Sequence, residues 1–246
     1  MNTAPAIISV KRYQKAYDLE IAVEDLTFRV FPGQVLGLIG PNGAGKTTTL
    51  KAIAGIIPIS GGTLTVNGFD VERDSIHVKK ISAYVPDDPQ LFNDLTVAQH
   101  FAFTASVYNV NGWQEKMSTI VERFDLSKKL NSRCSDLSRG MRQKLAIGCA
   151  YLFEPKALLL DEPMTGLDPR GIRVLKETIT ERANQGIGVI ISSHLLAMVE
   201  DICTDVLILK EGCNQFFGDL NSLKQKFSNA NQEQSLEELF FSAVSN

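Results

Sequence analysis

Apolar and polar residues alternate along the first clearly patterned segment, VEDLTFRVFPG at residues 23–33. A period of two predicts a strand of an antiparallel sheet with one face in water. The next run, QVLGLIG at residues 34–40, is almost wholly apolar, as in strands buried inside a parallel sheet. A helical spacing then places Leu50, Ile53 and Ala54 on one face. Strand, glycine-rich turn and helix are therefore predicted in that order.

Three later apolar runs predict further buried strands, KALLLD, GVIISS and DVLILK at residues 156–161, 188–193 and 205–210. A helix is predicted between the first two, because Ile172, Leu175 and Ile179 share one face. Strands that alternate with helices favour an α/β fold in which helices cover both faces of a parallel sheet. Residues 88–151 have mostly helical spacing instead, so we interpret them as an insertion into this core.

The pattern predicts a single domain over residues 1–246. Its parts are a core (residues 1–86 and 156–220), a helical subdomain (87–155) and a C-terminal linker and tail helix (221–246). The tail helix is predicted over residues 236–244, where Leu236, Leu239, Phe240 and Ala243 form one apolar stripe.

Composition narrows the possible functions. The net charge is −3, so the electrostatics give no reason to expect nucleic-acid binding. The opening MNTAPAIISV lacks a basic start and a long apolar stretch, so we expect no secretion signal. The longest apolar runs fall far short of the about 20 residues of a membrane span. The four cysteines form no paired ligand motif, which is typical of thiols in a reducing cytoplasm.

A phosphate-binding loop is predicted where the first apolar strand meets the first helix. The segment GPNGAGKTT matches G-x-x-x-x-G-K-[ST] through Gly40, Gly45, Lys46 and Thr47. Glycines let the backbone turn its N–H groups toward phosphate oxygens, and the helix N-terminus favours negative charge. We expect Lys46 to reach the β- and γ-phosphates and the Thr47 hydroxyl to bind Mg²⁺.

Two adjacent acids, Asp161 and Glu162, directly follow the buried run LLL in LLLDEPMTGLDP. The end of that strand is predicted to lie beside the phosphate loop, at the sheet edge where α/β folds bind ligands. Asp161 is then expected to hold Mg²⁺, directly or through water, and Glu162 to orient a water for attack on the γ-phosphate.

Two further motifs have residues with a possible chemical role. In DLSRGMRQKLA, Ser138 is a good helix N-cap and Gly140 leaves the first turn open to close approach. His194 follows a buried strand in IISSHLL, where a neutral imidazole could bond to a phosphate oxygen or to the attacking water. The other histidines, His77 and His100, are interpreted as structural.

Taken together, GPNGAGKTT, LSRGMRQK, LLLDEPMTGLDP and SSHLL resemble an ATP-binding cassette (ABC) ATPase over nearly the whole chain. The resemblance implies a phosphate-loop NTPase core, an antiparallel β subdomain and an inserted helical subdomain, with ATP and Mg²⁺ as cofactors. Catalysis is assigned to Glu162, His194 and Lys46. ATP contacts are assigned to Asn42, Gly43, Ala44, Gly45, Lys46, Thr47 and Thr48. Mg²⁺ is assigned to Thr47, Asp161 and Asp87. Tyr13 is expected to stack on adenine, with Tyr17 as the alternative.

The resemblance also implies that two such subunits pair head to tail. Each ATP would then lie between one subunit's phosphate loop and the signature motif of the other, so Ser138 and Gly140 would face the partner's nucleotide. A homodimer and a heterodimer both stay open.

The chain departs from the family pattern at four positions. Arg139 and Met141 replace a glycine and the glutamine of the usual LSGGQ, and Met164 stands where a small polar residue is frequent. Asp87 stands where the family's Q-loop has glutamine. Its side chain is shorter and charged, so we expect it to bind Mg²⁺ through water at most.

The variants SRGMRQ and YVPDD, with the ending SLEELF, resemble ATPase subunits of bacterial exporters whose permease is a separate chain. We therefore predict a cytoplasmic protein on the inner face of the membrane, bound to an integral permease and not to nucleic acid. The alternatives are a soluble ABC ATPase acting on ribosomes or DNA, and a small-molecule kinase. A single cassette without heptads argues against the first, and the signature motif argues against the second.

Overall fold

The computed structural model describes residues 4–18, 20–193 and 196–227. In this part of the chain there are ten strands: β1 (Ile8–Tyr17), β2 (Glu20–Val30), β3 (Val35–Ile39), β4 (Gly61–Val66), β5 (Phe69–Asp70), β6 (Ser82–Val85), β7 (Ala157–Asp161), β8 (Gly188–Ser192), β9 (Asp205–Lys210) and β10 (Cys213–Asp219). The same residues form eight α-helices: α1 (Lys46–Ile53), α2 (Ser75–Ile81), α3 (Val97–Tyr108), α4 (Trp113–Arg123), α5 (Arg139–Leu152), α6 (Pro169–Asn184), α7 (Leu196–Ile202) and α8 (Leu220–Phe227).

The central sheet has six strands in the order β10-β9-β3-β8-β7-β6. Neighbours from β9 to β6 are parallel, and β10 pairs antiparallel with β9 at one edge. The apolar runs predicted as buried strands are β3, β7, β8 and β9, so those predictions are confirmed. All five residues of β3, β7 and β8 are buried, which explains why these strands lack alternation.

Successive leucines of β7 pack on opposite faces of the central sheet. Leu158 and Leu160 belong to a core shared with the inserted helices, whereas Leu159 packs in a second core with residues of the antiparallel sheet. Apolar layers therefore cover both faces of β7, and Asp161 is the last residue of the strand.

The second sheet has the order β2-β1-β4-β5, with antiparallel pairs throughout. This sheet confirms the antiparallel strand that was predicted from the alternation in residues 23–33. It also confirms the antiparallel subdomain that the resemblance implies. Strand β1 bulges near Arg12, whose φ is +49°, and its register shifts between Val10 and Tyr13. Such a bulge exchanges the two faces of a strand, so Tyr13 turns into the core.

The described elements between Val85 and Ala157 are helical apart from one isolated bridge, which agrees with the predicted insertion. Helices α3 and α5 lie in the region that was predicted to be mostly helical, and Thr96 caps α3 in a capping box with Gln99. The exact subdomain boundaries stay a prediction. Helix α8 was not predicted, and the predicted tail helix lies outside the described residues. No helix in the described ranges is long and apolar enough to cross a membrane.

Candidate nucleotide-binding site

The phosphate loop connects the end of β3 to the start of α1. Gly45 is the N-cap of α1 and has a φ of +95°, in the left-handed region that favours glycine. A Cβ at this position would lie 2.7 Å from the carbonyl oxygen of Ala22 in β2. The antiparallel sheet therefore closes one side of the loop, and only glycine permits this approach.

The ammonium group of Lys46 lies within the loop, where it donates to the carbonyl oxygens of Gly40 at 2.6 Å and Pro41 at 3.0 Å. Only 8% of Lys46 is exposed. Burial lowers the pKa of this ammonium, while the nearby Glu162 and Asp161 act in the opposite direction. The side chain is thus a positioned cation between the loop and two carboxylates, as an anionic ligand requires.

A cavity of about 300 Å³ lies in front of this loop. It brings together the seven phosphate-loop residues predicted to contact ATP and all three residues predicted to hold Mg²⁺. Its lining comprises Ala22, Asn42, Gly43, Ala44, Gly45, Lys46, Thr47, Thr48, Asp87, Asp161 and Glu162. Their contacts with nucleotide and metal stay a prediction, but the geometry is compatible with each of them.

Asp161 is 3% exposed and accepts two side-chain hydrogen bonds at the end of β7. The Ser192 hydroxyl donates to Oδ1 at 2.6 Å, and the Tyr84 hydroxyl donates to Oδ2 at 3.1 Å. Burial and the Asp161 carboxylate together raise the pKa of Tyr84, so the phenol keeps its proton. Sequence reasoning missed both donors, because they come from β8 and β6, 31 and 77 residues away.

Glu162 occupies a backbone conformation that is uncommon for a side chain of its size, with a φ of +46°. Its N–H donates to the Ser192 hydroxyl at 2.9 Å, which fixes the turn immediately after β7. Strain of this kind costs about 1–3 kcal/mol and clusters at functional sites. The turn directs the chain out of the sheet beside the cavity that Glu162 lines.

The fit of Mg²⁺ with nucleotide can be judged from the oxygen donors present. Within the described ranges, no group of three His, Cys, Asp or Glu side chains is placed so that it could hold a metal ion without other ligands. Mg²⁺ in nucleotide sites usually takes one or two protein ligands together with phosphates and water. Thr47 and Asp161 supply a hydroxyl and a carboxylate on the same cavity, which suits this requirement.

The signature segment begins α5 and is exposed at Ser138. Ser138 caps the helix as predicted, since its hydroxyl accepts the Met141 N–H at 3.3 Å. Gly140 packs closely against the loop that contains Gly166 in the same chain. A Cβ at Gly140 would lie 2.3 Å from the Gly166 carbonyl oxygen, so only glycine fits there. Neither Ser138 nor Gly140 lines the 300 Å³ cavity, so both lie apart from the chain's own phosphate loop.

The prediction that Tyr13 stacks on adenine is wrong, because its ring is fully buried in the core that the antiparallel sheet covers. Burial also raises the pKa of its hydroxyl. The alternative, Tyr17, is 47% exposed in the hairpin that leads to Ala22 at the phosphate loop. The ammonium group of Lys15 lies 4.6 Å from the centre of its ring.

The structure describes two of the three histidines, His77 and His100. His100 accepts the Phe92 N–H at Nε2 and contacts the Thr96 carbonyl oxygen at Nδ1, and the His77 ring packs against Phe69 at a tilt of 31°. Both fit the structural interpretation. His194 lies outside the described residues, so its role stays a prediction.

Asp87 lines the cavity from the loop after β6, and its carboxylate accepts a hydrogen bond from Arg139 at 3.0 Å.

A profile of the ABC transporter family matches residues 23–165, more than half of the chain. The chain belongs to the ABC transporter family. Like the members of this family, it is an ATP hydrolase, and it resembles the ATP-binding subunits of transporters.

Individual relatives and structures agree with the ABC assignment. The ABC-type transporter ATP-binding protein EcsA of Bacillus subtilis (strain 168) is 33% identical over 90% of this chain and 91% of its own length. Nod factor export ATP-binding protein I of Burkholderia pseudomallei (strain 1710b) is 31% identical over 86% of this chain and 70% of its own. A solved ATP-binding subunit of an ABC transporter superposes with a TM-score of 0.92 at 33% identity, covering 96% and 99% of the two chains.

Proposed function

We propose that this ABC ATPase dimerises around two ATP molecules and powers a separate membrane permease that exports its substrate. It would act on the cytoplasmic face of the cell membrane. The observation that carries the proposal is an apolar groove next to the nucleotide cavity, between the central sheet and the inserted helices.

The groove has a volume of about 320 Å³ and includes Tyr84 and Leu91 on one side and Tyr108, Ala150 and Phe153 on the other. Tyr108 and Phe153 stack with ring centres 3.7 Å apart, which gives the groove an aromatic wall. Apolar concave surfaces of this kind mark interaction sites. A helical segment of a permease is the occupant we propose.

Two aromatic residues extend the apolar surface beyond the groove. Phe92 and Phe103 are 55% and 49% exposed, and their rings make an edge contact with centres 5.2 Å apart. Phe92 directly follows Leu91, and Phe103 directly precedes Thr104, both of which line the groove. Burying this pair against a partner would add apolar area to the interface.

The groove and the nucleotide cavity share a structural element, which supports coupling between them. Tyr84 lines the groove and its hydroxyl bonds to Asp161, a wall of the nucleotide cavity. A permease that moves the loop after β6 would therefore act on the group proposed to hold Mg²⁺. We propose that partner binding affects hydrolysis through this bond.

In the proposed reaction, Lys46 and the loop N–H groups bind the phosphates, while Thr47 and Asp161 hold the metal. Bound Mg²⁺ neutralises charge on the β- and γ-phosphates. Glu162 orients the water for in-line attack, and Asp87 reaches the metal through water at most. Tyr17 takes the role of stacking on adenine.

Export is the proposed direction because the chain resembles Nod factor export ATP-binding protein I, whose name states that role. The variant motifs SRGMRQ and YVPDD support the same direction by resemblance.

If a neighbouring gene encodes an integral membrane protein, co-purification of that protein with this subunit tests the permease proposal. We expect Phe92→Glu to lose co-purification while the isolated subunit keeps its ATPase activity, because a charge in the apolar surface opposes docking. Ile76→Glu is the control, since Ile76 is 73% exposed and lies on α2. Equal co-purification of both variants and the wild type would contradict docking at this surface.

The direction of transport can be tested with inside-out vesicles that contain the complex. Compounds that stimulate hydrolysis should accumulate inside these vesicles when ATP is added outside. Loss of such compounds from preloaded vesicles under the same conditions would indicate import and overturn the export proposal.

A further inference from the structure

Two residues that depart from the usual ABC motifs pair with each other. Arg139 replaces a glycine of the signature segment and Asp87 replaces the Q-loop glutamine, and Arg139 Nη2 donates to Asp87 Oδ1 at 3.0 Å. They are 52 positions apart in the chain: Asp87 precedes the inserted helices, and Arg139 is the first residue of the last of them, α5. Each side chain is 47% exposed, so the pair is accessible to water and to ligands.

The stem of Arg139 lies across the loop that follows Glu162. A Cβ at Gly166, whose φ is +78°, would lie 3.4 Å from both Cγ and Cδ of Arg139. The neighbouring Gly140 lets the Gly166 carbonyl approach the first turn of α5. The aliphatic part of the Arg139 side chain therefore packs against the chain at Gly166, and this contact restricts the position of the guanidinium that bonds to Asp87.

A second bond joins the same two segments. Gln143, one turn further along α5, is fully buried, and its Nε2 donates to the carbonyl oxygen of Pro86 at 3.3 Å. Pro86 precedes Asp87 directly, so the loop after β6 is attached to α5 at consecutive positions. These bonds hold Asp87 next to Arg139 in the described conformation.

Asp87 faces the cavity that takes the triphosphate, together with two other carboxylates, Asp161 and Glu162. ATP is strongly anionic, so a further negative charge near its phosphates opposes binding unless a cation compensates it. A glutamine at this position would add no charge. The guanidinium of Arg139 supplies a positive charge that compensates the negative charge of the Asp87 carboxylate.

We propose that Arg139 is a positioning residue for ATP binding in the same chain: it neutralises Asp87 and holds it back from the phosphates. On this proposal the two departures from the family motifs belong together, because the positive charge of Arg139 compensates the negative charge of Asp87. This inference rests on ATP binding in the cavity, and it does not depend on dimerisation, export or the permease.

The affinity of the isolated subunit for a fluorescent ATP analogue tests the proposal. In EDTA and low salt, Arg139→Gln should weaken binding by about threefold to tenfold, because it leaves the Asp87 charge unpaired. The loss should shrink in Mg²⁺, which reduces the charge of the nucleotide, and at high salt, which screens it. Arg139→Lys should bind like the wild type because it keeps the cation.

The double variant separates pairing from other effects of Arg139. When Asp87→Asn is added to Arg139→Gln, affinity should return to the wild-type value, since the unpaired charge is gone. Arg173→Gln is the matched control, because it removes another exposed ion pair with the same 3.0 Å separation, on α6. An equal loss with and without Asp87→Asn, or no loss in EDTA, would overturn the proposal. Thermal unfolding should change little in each variant, since exposed ion pairs contribute little to stability.

Discussion

The hydroxyl of Tyr84 donates a hydrogen bond to Oδ2 of Asp161 across 3.1 Å, joining β6 to the end of β7. Ser192 donates to the other carboxylate oxygen from β8. Three neighbouring strands of the sheet therefore fix one carboxylate, and both of its oxygens have a defined orientation. Mutation of residues that orient a metal ligand in this way typically lowers metal affinity by about 10-fold to 100-fold.

Tyr84→Phe should raise the Mg²⁺ concentration that gives half-maximal ATP hydrolysis by about tenfold, within the range found when such orienting groups are removed. ATP affinity in EDTA should stay unchanged, because Tyr84 does not line the nucleotide cavity. Tyr108→Phe is the control, since that phenol lines the same groove but stacks on Phe153. An unchanged Mg²⁺ dependence in Tyr84→Phe would remove Tyr84 from metal binding.

Glu162→Gln should preserve ATP binding and nearly abolish turnover, leaving a dimer that retains its nucleotide. The change removes a transition-state group and leaves the phosphate loop intact, so it affects hydrolysis far more than binding. Steady-state hydrolysis, nucleotide affinity and size-exclusion chromatography with ATP measure the three effects.

Glu154→Gln is the matched control for Glu162→Gln. Glu154 also has a positive φ, at +52°, but it pairs with Lys116 outside the nucleotide cavity. The control should hydrolyse ATP at the wild-type rate. If Glu162→Gln does the same, Glu162 has no role in the chemical step.

The phosphate loop and the Asp161 strand were predictable because their signals are local. Three consecutive leucines fill both faces of β7, and the acid that follows them has to leave the sheet at its ligand-binding edge. Lys46 and its glycines are likewise contiguous in the chain. Patterns of this kind depend on the period of a strand or on one turn, so the sequence alone contains them.

Contacts between distant segments were not predictable in this way. Tyr84, Ser192 and Arg139 acquire their roles only when the sheet and the insertion bring separate segments together. Tyr13 was assigned to adenine by resemblance alone, whereas the bulge at Arg12 exchanges the faces of β1 and turns this tyrosine into the core. A bulge adds one residue without a strong local signal, so simple alternation fails beyond it.

The two tyrosines of β1 should differ sharply in their effect on ATP binding. Tyr17→Ala should weaken ATP binding by about 5-fold to 150-fold, because base–aromatic stacking contributes about 1–3 kcal/mol. Binding of inorganic tripolyphosphate should stay unchanged, since it has no base to stack. Tyr17→Phe is the control and should keep the wild-type affinity for ATP. Equal losses for ATP and tripolyphosphate in Tyr17→Ala would contradict stacking.

Tyr13→Phe should leave ATP affinity unchanged and should not destabilise the protein. The Tyr13 hydroxyl is buried, and no hydrogen-bond partner for it occurs within the described residues. An unsatisfied buried hydroxyl costs about 1–3 kcal/mol, so its removal should stabilise the fold by up to that amount. Thermal unfolding measures the change, and a lower midpoint would show that the hydroxyl does have a partner.

Ser138→Arg tests whether the signature segment serves the nucleotide of a second subunit. The variant should lose hydrolysis while the monomer keeps its ATP affinity, because Ser138 is exposed and does not line its own cavity. A single closure step from 1:99 to 99:1 takes about 5.5 kcal/mol. Two sites would share this free energy, and one or two charge-assisted hydrogen bonds at each could supply it.

Mixing Ser138→Arg with Lys46→Ala subunits decides between the two arrangements. Their heterodimer keeps one site with an intact phosphate loop and an intact signature segment, so part of the activity should return on mixing. Thr96→Arg is the control for the lost helix cap, because Thr96 caps α3 as Ser138 caps α5. It should keep its hydrolysis without any partner variant. If Ser138→Arg instead weakens ATP binding to the monomer as strongly as Lys46→Ala does, the signature segment serves its own nucleotide and the head-to-tail dimer is wrong.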